Sequence, residues 1–326
     1  MVDSVSWEHR PLLSGHASVS AVRFSPDGKR LLFAATSRGK TQLFVRWLDS
    51  GQTALLTNVN ETPKDAVWSP DGTQIALVMR VPTQSAPLIK MPPKPKGADW
   101  APDAKVIEQM TYRVDGGGYI EEGYTHVFVV PAVGGTPRQL TNGNFNHGHP
   151  SWSKDGRVVF VDGNRNDDAV FQPLNSEIFA VNVADATVQQ LTDRVGPDYG
   201  PAVSPDGSRV AYLGFDDQKQ GYQITELFVM KPDGTDKRHV SGSLDRDVDR
   251  FYWSKDSRRL LIQYDDRGNT KIGALSLDGQ VEELTGDVGG TTLGRPYGSG
   301  SFTLANNGRI AFTHGRPEHP APPDSR

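Results

Sequence analysis

Short runs of apolar residues separated by polar turns recur along the whole chain. Some alternate apolar and polar positions with the period of two that is typical of β-strands, such as Gln42-Leu-Phe-Val-Arg and Glu226-Leu-Phe-Val-Met. Others, such as Arg30-Leu-Leu-Phe-Ala and Arg209-Val-Ala-Tyr-Leu, are almost continuously apolar, as expected of strands buried on both faces. The pattern predicts an all-β protein with many short strands.

A turn motif repeats between these runs. Six copies begin at a large apolar residue followed by Ser-Pro-Asp-Gly or a variant of it: Phe24, Trp68, Trp152, Val203, Trp253 and Leu304. Their successive spacings are 44, 84, 51, 50 and 51 residues, so one interval is nearly double the others. Trp100-Ala-Pro-Asp-Ala lies inside that interval as a degenerate copy, and counting it raises the number of repeats to seven.

A second marker has the same period. Leu-Thr pairs at Leu56, Leu140 and Leu191 each precede the next lead residue of the turn motif by 12 positions. In the motif itself, proline presets φ, aspartate hydrogen-bonds the nearby backbone, and glycine accepts the left-handed conformation that ends the turn. Each repeat therefore predicts four antiparallel strands, the last of which ends at a Leu-Thr pair.

Four-stranded units repeated radially form a β-propeller. We expect seven four-stranded antiparallel blades, with six as the alternative, over residues 1–315, followed by a Pro-rich tail or linker at residues 316–326. The segment from Arg10 to Leu13 resembles a fourth strand without a blade. We expect it to complete the last blade, which runs out of sequence before its third strand, and so to close the ring.

Composition and charge narrow the function. The net charge is −4, from 35 basic and 39 acidic residues that are well mixed, so neither nucleic acid nor a membrane is expected as a partner. There is no cysteine, which excludes disulfides and thiolate chemistry and is compatible with a cytoplasmic location. No signal peptide is expected, because the first residues contain no basic region followed by an apolar core, and no apolar stretch is long enough to cross a bilayer.

Catalytic motifs are absent from the sequence. No Gly-x-Ser-x-Gly pentapeptide occurs, and Gly298-Ser-Gly-Ser is interpreted as a flexible turn. His147 and His149 are separated by one residue and could face a metal together, although a solvated polar position is the alternative. The acidic runs Asp162–Asp168 and Asp245–Asp249 are interpreted as solvated loops, with a weak ion site as the alternative. No cofactor is expected.

Two regions depart from a plain repeat. The segment from Pro82 to Gly97 is rich in proline and lysine and predicts an excursion from the rim. Tyr112-Arg-Val-Asp-Gly-Gly-Gly-Tyr follows it, on a loop that either packs on the rim as a hairpin or contributes to a substrate path. Separately, the position three residues before each lead residue is expected at the channel mouth, where it is occupied by Asp65, His149, Gly200, Arg250 and Ser301.

The Trp-Ser-Pro-Asp-Gly repeats resemble the propellers of the prolyl oligopeptidase family and of the Tol-system translocation protein. Tyr112-Arg-x-Asp-Gly-x-Gly-Tyr119, with Gly134-Gly-Thr-Pro-Arg-Gln-Leu-Thr141, is similar to acylaminoacyl-peptidase and dipeptidyl-peptidase members of that family. The resemblance covers essentially the whole chain.

This resemblance implies the non-catalytic propeller of a serine peptidase, which caps an α/β-hydrolase domain and filters its peptide substrates. The hydrolase domain is expected as a partner outside this chain, so no catalytic residue is assigned. Arg113, Asp115, Glu121 and Glu122 are candidates to meet a peptide terminus or the partner domain. The alternatives are a free-standing interaction scaffold of the Tol type and a metal-dependent lyase that uses His147 and His149.

Overall fold

The computed structural model of the chain describes residues 11–15, 18–83, 92–101, 106–107, 109–290 and 300–314. These residues contain 24 β-strands and no helix. The strands form five four-stranded antiparallel sheets and two two-stranded sheets. The all-β class and the four-stranded antiparallel blades that the sequence predicts are therefore confirmed.

The first two blades come from residues 19–139. The first blade consists of β1 (Val19–Phe24), β2 (Arg30–Ser37), β3 (Lys40–Trp47) and β4 (Thr53–Leu55). The second blade consists of β5 (Lys64–Trp68), β6 (Gln74–Val81), β9 (Tyr124–Pro131) and β10 (Arg138–Gln139). A separate hairpin of β7 (Arg113–Val114) and β8 (Gly118–Tyr119) lies between its second and third strands.

The next three blades follow without such an insertion. The third consists of β11 (His147–Trp152), β12 (Val158–Gly163), β13 (Glu177–Asn182) and β14 (Val188–Gln190). The fourth consists of β15 (Asp198–Val203), β16 (Val210–Gly214), β17 (Glu226–Met230) and β18 (Arg238–His239). The fifth consists of β19 (Val248–Trp253), β20 (Arg259–Asp266), β21 (Asn269–Ser276) and β22 (Val281–Val288). A two-stranded sheet of β23 (Phe302–Leu304) and β24 (Ile310–Phe312) comes after them.

Each of the six clear turn motifs begins at the last residue of a first strand, as the repeat predicts. In the first copy, the Ser25 hydroxyl donates to Asp27 Oδ1 at 2.5 Å, and the Gly28 amide donates to the Ser25 carbonyl at 2.8 Å with φ of 70°. The hydrogen bond from Ser25 lowers the pKa of Asp27, so the carboxylate stays charged and holds the turn. The motif thus fixes the β1–β2 hairpin through local hydrogen bonds.

The Leu-Thr pairs end the fourth strands. Thr57 accepts a hydrogen bond from the Leu43 amide at 2.9 Å, and Thr192 accepts one from the Ile178 amide at 2.8 Å. In each case the threonine hydroxyl accepts a hydrogen bond from an amide of the third strand. The backbone of the fourth strand has already ended and does not bond this amide. The buried threonine therefore satisfies a buried backbone group, which explains why the pair recurs at that phase.

The expected count of seven blades, or six, is wrong, because the described residues form five complete blades. Trp100, which the sequence predicts to start an extra repeat, lies outside any strand and is 37% exposed. The long interval instead holds one blade, whose second strand β6 pairs directly with β9 across residues 82–123. A turn-like motif starts a blade only when strands follow it that can pair, and after Trp100 only the short hairpin follows.

The described part of the segment from Arg10 to Leu13 does not form the expected closing strand. Residues 11–15, which include Leu12 and Leu13, form no strand, and Arg10 lies outside the described residues. The sheet of β23 and β24 has two strands rather than four. The Pro-rich tail at residues 316–326 and the turn at Gly298 also lie outside the described residues.

Consecutive blades pack face to face through apolar clusters. Trp68 from the second blade packs with Leu32 and Val45 of the first, and Trp253 from the fifth packs with Ala211 and Val229 of the fourth. Similar clusters join the second to the third blade, the third to the fourth, and the fifth to the β23–β24 sheet. The core is therefore distributed between blades, as in repeat architectures that grow by adding units.

A hydrogen bond from the lead tryptophan accompanies this packing. The indole Nε1 of Trp68 donates to the Arg23 carbonyl at 3.3 Å, that of Trp152 donates to the Val67 carbonyl at 3.3 Å, and that of Trp253 donates to the Ala202 carbonyl at 2.9 Å. Each acceptor is the residue just before the lead residue of the preceding blade. The tryptophan therefore fills the space between blades and also pairs an inner-strand carbonyl.

We expect Trp253→Phe to lower the free energy of unfolding by about 1–2 kcal/mol, because the ring contacts remain while the Ala202 carbonyl loses its donor. Trp100→Phe is the matched control and should change stability by less than about 0.5 kcal/mol, because Trp100 is partly exposed. Equilibrium unfolding in urea measures both. Equal effects of the two substitutions would show that the indole hydrogen bond does not stabilise the ring.

Candidate functional site

One end of the blades carries the irregular features of the molecule. In an antiparallel blade, the start of the first strand and the connection between the second and third strands lie at the same end. The turn motifs occupy the opposite end. We call the end that carries the start of the first strand and the connection between the second and third strands the loop end of the propeller. The predicted channel-mouth residues and the β7–β8 hairpin lie at this end.

The innermost strands share a β-bulge near this end. The register of pairing shifts after Lys64 in β5, after Gly148 in β11 and after Tyr199 in β15. The residue in each bulge has positive φ: 49° at Asp65, 47° at His149 and 63° at Gly200. Bulges and left-handed non-glycine residues are costly and are found at functional sites more often than elsewhere.

Some of the predicted channel-mouth residues therefore occupy the same structural position in their blades. Asp65, His149 and Gly200 occupy the bulge, and Ala21 occupies it in the first blade with φ of 52°. In the fifth blade the register shift falls between Val248 and Arg250, and Arg250 has no positive φ. The role of Asp65, His149 and Arg250 in lining a channel mouth remains a prediction.

His149 is held by a buried carboxylate. Its Nδ1 donates to Asp162 Oδ2 at 2.6 Å, and the Gly200 amide of the next blade donates to the same oxygen at 2.7 Å. The hydrogen bond that His149 donates to Asp162 raises the pKa of His149 against the effect of burial, and the Asp65 carboxylate raises it further. Asp162 thus connects the third and fourth blades while it fixes one imidazole edge.

Asp162 differs from the solvated loop residue that the acidic run Asp162–Asp168 suggests, because it is only 7% exposed. It lies in β12, opposite Gly148 and close to the bulge. A carboxylate at this depth needs hydrogen-bond donors, and His149 and Gly200 supply them. The sequence carries no local signal for this arrangement, because the donors lie 13 and 38 residues away.

His147 and His149 do not converge on a common point. His147 is buried, and its Nε2 accepts a hydrogen bond from Arg165 Nη1 at 3.0 Å. Burial, followed by the charge of Arg165, lowers the pKa of His147 to about 4. Within the described ranges, no group of three or more His, Cys, Asp or Glu side chains could hold a metal ion. The metal-dependent reading of this pair therefore has no geometric support.

A second buried polar cluster lies between the third and fourth blades. Thr192 Oγ1 donates to Glu177 Oε2 at 2.6 Å, and Arg194 forms an ion pair with Asp198. Burial raises the pKa of Glu177 to about 7, because the hydrogen bond from Thr192 only partly offsets the loss of hydration. Burial likewise raises the pKa of Asp198, against the opposing charge of Arg194.

The hairpin of the second blade is anchored at its base. Arg80 Nη2 pairs with Glu61 Oε2 at 2.9 Å and with Glu121 Oε2 at 2.5 Å, while its Nη1 donates to the Glu122 carbonyl at 2.7 Å. Glu121 and Glu122, two of the predicted site residues, are thus brought together by an arginine that the sequence analysis did not single out. Arg80 was missed because nothing in its local sequence distinguishes it.

The other two predicted residues lie further out on the hairpin. Arg113 is in β7 and Asp115 is in the turn, and both are exposed. The rings of Tyr112 and Tyr119 pack together with centroids 6.2 Å apart, so the hairpin has a small apolar face of its own. The segment thus forms a hairpin, while a contribution to a substrate path and the roles of Arg113, Asp115, Glu121 and Glu122 remain predictions.

Other connections at the loop end also expose apolar side chains. Phe171 is 72% exposed in the β12–β13 connection, and Tyr222 is 68% exposed in the β16–β17 connection. The first and fifth blades differ, because two-residue turns at Arg38-Gly39 and Arg267-Gly268 close the same position. The long connections therefore cluster over the second, third and fourth blades.

We expect Glu177→Gln to stabilise the protein relative to wild type as the pH rises. The folded-state pKa of about 7 exceeds the ordinary glutamate pKa of 4.5, so ionising Glu177 costs folding free energy that accumulates between these pH values and is constant above them. Glutamine still accepts the hydrogen bond from Thr192. The stability difference between variant and wild type should grow by about 1–2 kcal/mol from pH 5 to pH 8 in urea unfolding. A pH-independent difference would contradict the assignment.

We also expect Asp162→Asn to lower the pKa of His149, because the hydrogen bond that His149 donates to the Asp162 carboxylate is the largest influence that raises it. Asp65→Asn should lower it less, because Asp65 acts only through its charge. NMR titration of the His149 imidazole signals in the two variants measures both changes. If Asp65→Asn has the larger effect, then the 2.6 Å contact does not control the ionisation of this imidazole.

In Bacillus subtilis, the uncharacterized peptidase YuxL is 25% identical over 162 residues, which are 49% of this chain and 23% of YuxL. The chain thus matches less than a quarter of the length of that relative.

Within the described residues, no helix is long and apolar enough to span a membrane.

Solved structures share the fold. Acylaminoacyl peptidase from Pyrococcus horikoshii has a TM-score of 0.62 and 16% identity, over 82% of this chain and 39% of that one. A putative TolB from Agrobacterium tumefaciens has a TM-score of 0.54 and 20% identity, over 82% of this chain and 80% of that one. At these identities the likeness shows the propeller fold alone.

The family model of the dipeptidyl peptidase IV N-terminal region matches residues 6–217. The matched range includes the first four lead residues of the repeat, the β7–β8 hairpin and the bulges at Asp65, His149 and Gly200. It covers more than half of the sequence, and the chain therefore belongs to the family of dipeptidyl peptidase IV N-terminal regions.

Proposed function

We propose that this propeller is the non-catalytic part of a serine peptidase of the prolyl oligopeptidase family, in which it covers an α/β-hydrolase domain and limits the peptides that reach it. One observation carries the proposal: in a chain of this family, the long connections of three consecutive blades project at the same end as the bulged inner strands. That end carries exposed aromatic side chains on the connections and the polar side chains of Asp65 and His149 on the bulged strands.

The apolar connections suit a permanent protein contact. Tyr119 is 53% exposed, Phe171 is 72% exposed and Tyr222 is 68% exposed, each on a different blade. Exposed aromatic side chains that recur on one side of a monomer favour a protein interface over free solvent. A hydrolase domain seated on this end would bury them together.

The bulged strands suit a selective opening. Asp65 and His149 adopt left-handed backbone conformations, and Asp162 fixes the imidazole of His149. Because the bulge turns these side chains away from the sheet ladder, they are available to a peptide that enters along the axis. The hairpin, anchored by Arg80, forms a rim of defined position beside them.

The chain itself supplies no nucleophile for such a peptidase. The sequence lacks the Gly-x-Ser-x-Gly pentapeptide that presents a serine in α/β-hydrolases. Hydrolysis would thus come from the partner domain, in the same polypeptide or in a separate one. The specificity of the whole enzyme would come from both parts.

The test compares this chain with the complete natural gene product. We expect a fluorophosphonate probe, which labels activated serines, to label the complete product or a co-purifying hydrolase but not this chain. Chromogenic acyl-aminoacyl and dipeptidyl substrates should give the same contrast. Labelling of this chain, or absence of labelling in the complete product and its partners, would overturn the proposal.

Surface variants then locate the contact. Phe171→Ser and Tyr119→Ser should each lower peptidase activity or hydrolase association several-fold, because they remove apolar area from the interface. Val133→Ser is the matched control, since Val133 is 85% exposed in the β9–β10 connection at the opposite end. A larger effect of Val133→Ser would place the partner on the wrong end for this proposal.

A free-standing scaffold of the TolB type is the second candidate. It is favoured by the match to the putative TolB chain, which is covered over 80% of its length by a propeller alone. In that case the same apolar connections would bind a partner without hydrolase activity, and the complete gene product would remain unlabelled by the probe.

A further inference from the structure

The region between the fifth blade, the β23–β24 sheet and the first blade, which we call the seam, lacks the tryptophan hydrogen bonds found elsewhere. The lead residues here are Phe24 and Leu304, and neither has a side-chain donor. Phe24 is 55% exposed, whereas Trp68, Trp152 and Trp253 are each below 10%. The seam is thus held less tightly than the junctions that carry an indole donor.

A cleft of about 730 Å³ lies in the seam. Its lining comes mainly from the inner strands β1, β19 and β23 and from β24, and it includes Val22, Arg23, Arg250, Tyr252, Phe302 and Phe312. This volume falls within the range of clefts that bind small organic ligands.

Two guanidinium groups give the cleft a positive charge. Arg23 Nη1 donates to the adjacent Val22 carbonyl at 2.9 Å, and neither Arg23 nor Arg250 forms an ion pair with a described carboxylate. By contrast, Arg80, Arg194 and Arg246 are each paired with carboxylates. The planar guanidinium group of arginine can donate two parallel N–H hydrogen bonds to a carboxylate or phosphate group, so the cleft offers two such groups to an anion.

Apolar rings form the rest of the wall. Tyr252 packs edge to face on Phe302 with ring centroids 5.0 Å apart, and Phe302 is 3% exposed. Phe312 is 39% exposed and Val22 is 42% exposed, so part of the apolar surface remains open to a ligand. A ligand that satisfies both features carries an anionic group and an apolar body.

The backbone amides around Ser301 are already hydrogen-bonded and do not remain available to a ligand. The Ser301 amide already donates to Thr313 Oγ1 at 2.9 Å, and the Thr313 amide donates to the Ser301 carbonyl at 2.9 Å. The strands β23 and β24 are thus paired at this point, and the cleft wall is fixed. The anion would be bound by arginine side chains rather than by free backbone amides.

We propose that the seam cleft binds the C-terminal carboxylate of a peptide that ends in an apolar residue, with Arg23 and Arg250 holding the carboxylate and the aromatic wall holding the side chain. The peptide as ligand rests on the proposed function. The charge and apolar character of the cleft do not. Because Arg23 belongs to the first blade and Arg250 to the fifth, the ligand would connect two blades across the seam.

The test uses this chain alone and a matched pair of ligands, acetyl-Ala-Ala-Phe as the free acid and as the C-terminal amide. Isothermal titration at low ionic strength should show the acid binding at least about tenfold more tightly, because only the acid presents a carboxylate. The acid should also raise the Tm of the chain, because it binds the folded state. Equal affinities, or no binding of the acid, would overturn the proposal.

Arginine variants assign the site. Arg23→Gln and Arg250→Gln should each weaken binding of the acid about tenfold while leaving the weak binding of the amide unchanged. Arg157→Gln is the control, because Arg157 lies on the third blade with its side chain 84% exposed. Arg250→Lys keeps the charge and should retain part of the affinity. Wild-type affinity in both glutamine variants would overturn the assignment, and circular dichroism verifies that each variant is folded.

Inorganic phosphate is the third probe. We expect it to bind much more weakly than the acid, because it lacks the apolar body that the aromatic wall contacts. Phosphate affinity equal to that of the acid would overturn the peptide assignment. The outcome is independent of the serine-labelling experiment, so a failure of this site and a failure of the proposed function are distinguishable.

Discussion

The hydrogen bond from a lead tryptophan to the preceding blade is the interaction on which the ring depends. A propeller blade cannot bury both faces alone, so each sheet must pack on its neighbours at a defined distance and angle. The tryptophan sets that distance, because its ring fills the space between sheets while its Nε1 binds a carbonyl of the preceding inner strand. The inner-strand edge would otherwise leave that carbonyl without a donor.

The same interaction is replaced by other contacts at two places in the propeller. Junctions with a lead tryptophan combine ring packing with a directed hydrogen bond, whereas the third and fourth blades use Asp162 and the Gly200 amide instead. At the seam, phenylalanine and leucine provide only packing. A cleft lies there, and its two arginines, Arg23 and Arg250, form no ion pair with a carboxylate in the described part of the chain.

The β-bulges link the scaffold to its proposed function. A regular inner strand would direct successive side chains only toward the neighbouring blades, but one extra residue in a left-handed conformation breaks that alternation. Asp65 and His149 gain their positions in this way. The buried partner of His149, Asp162, also contacts the next blade, so the position of the imidazole is coupled to the packing of the ring.

The sequence determined the strands, their order within a blade and the turn ends, because these depend on local chemistry. The Ser-x-Asp-Gly turn hydrogen-bonds within itself, and the Leu-Thr pair acts on the adjacent strand, so both are visible as short motifs. For the same reason all six clear lead residues end an inner strand. The resemblance carried by the repeat and the hairpin also indicated the family.

The number of blades and the partners of the site residues were decided only by the tertiary structure. Trp100 carries a motif, but β6 pairs with β9 across the insertion, and strand pairing over 42 residues leaves no local trace. Arg80 and Arg165 were missed, and Asp162 was interpreted as a solvated loop residue, because the partners of these side chains, Glu121, His147 and Gly200, are brought to them by chain segments distant in sequence. A hydrogen bond between residues close in sequence can be predicted from a short motif. The burial and charge of a site depend instead on which blades become neighbours.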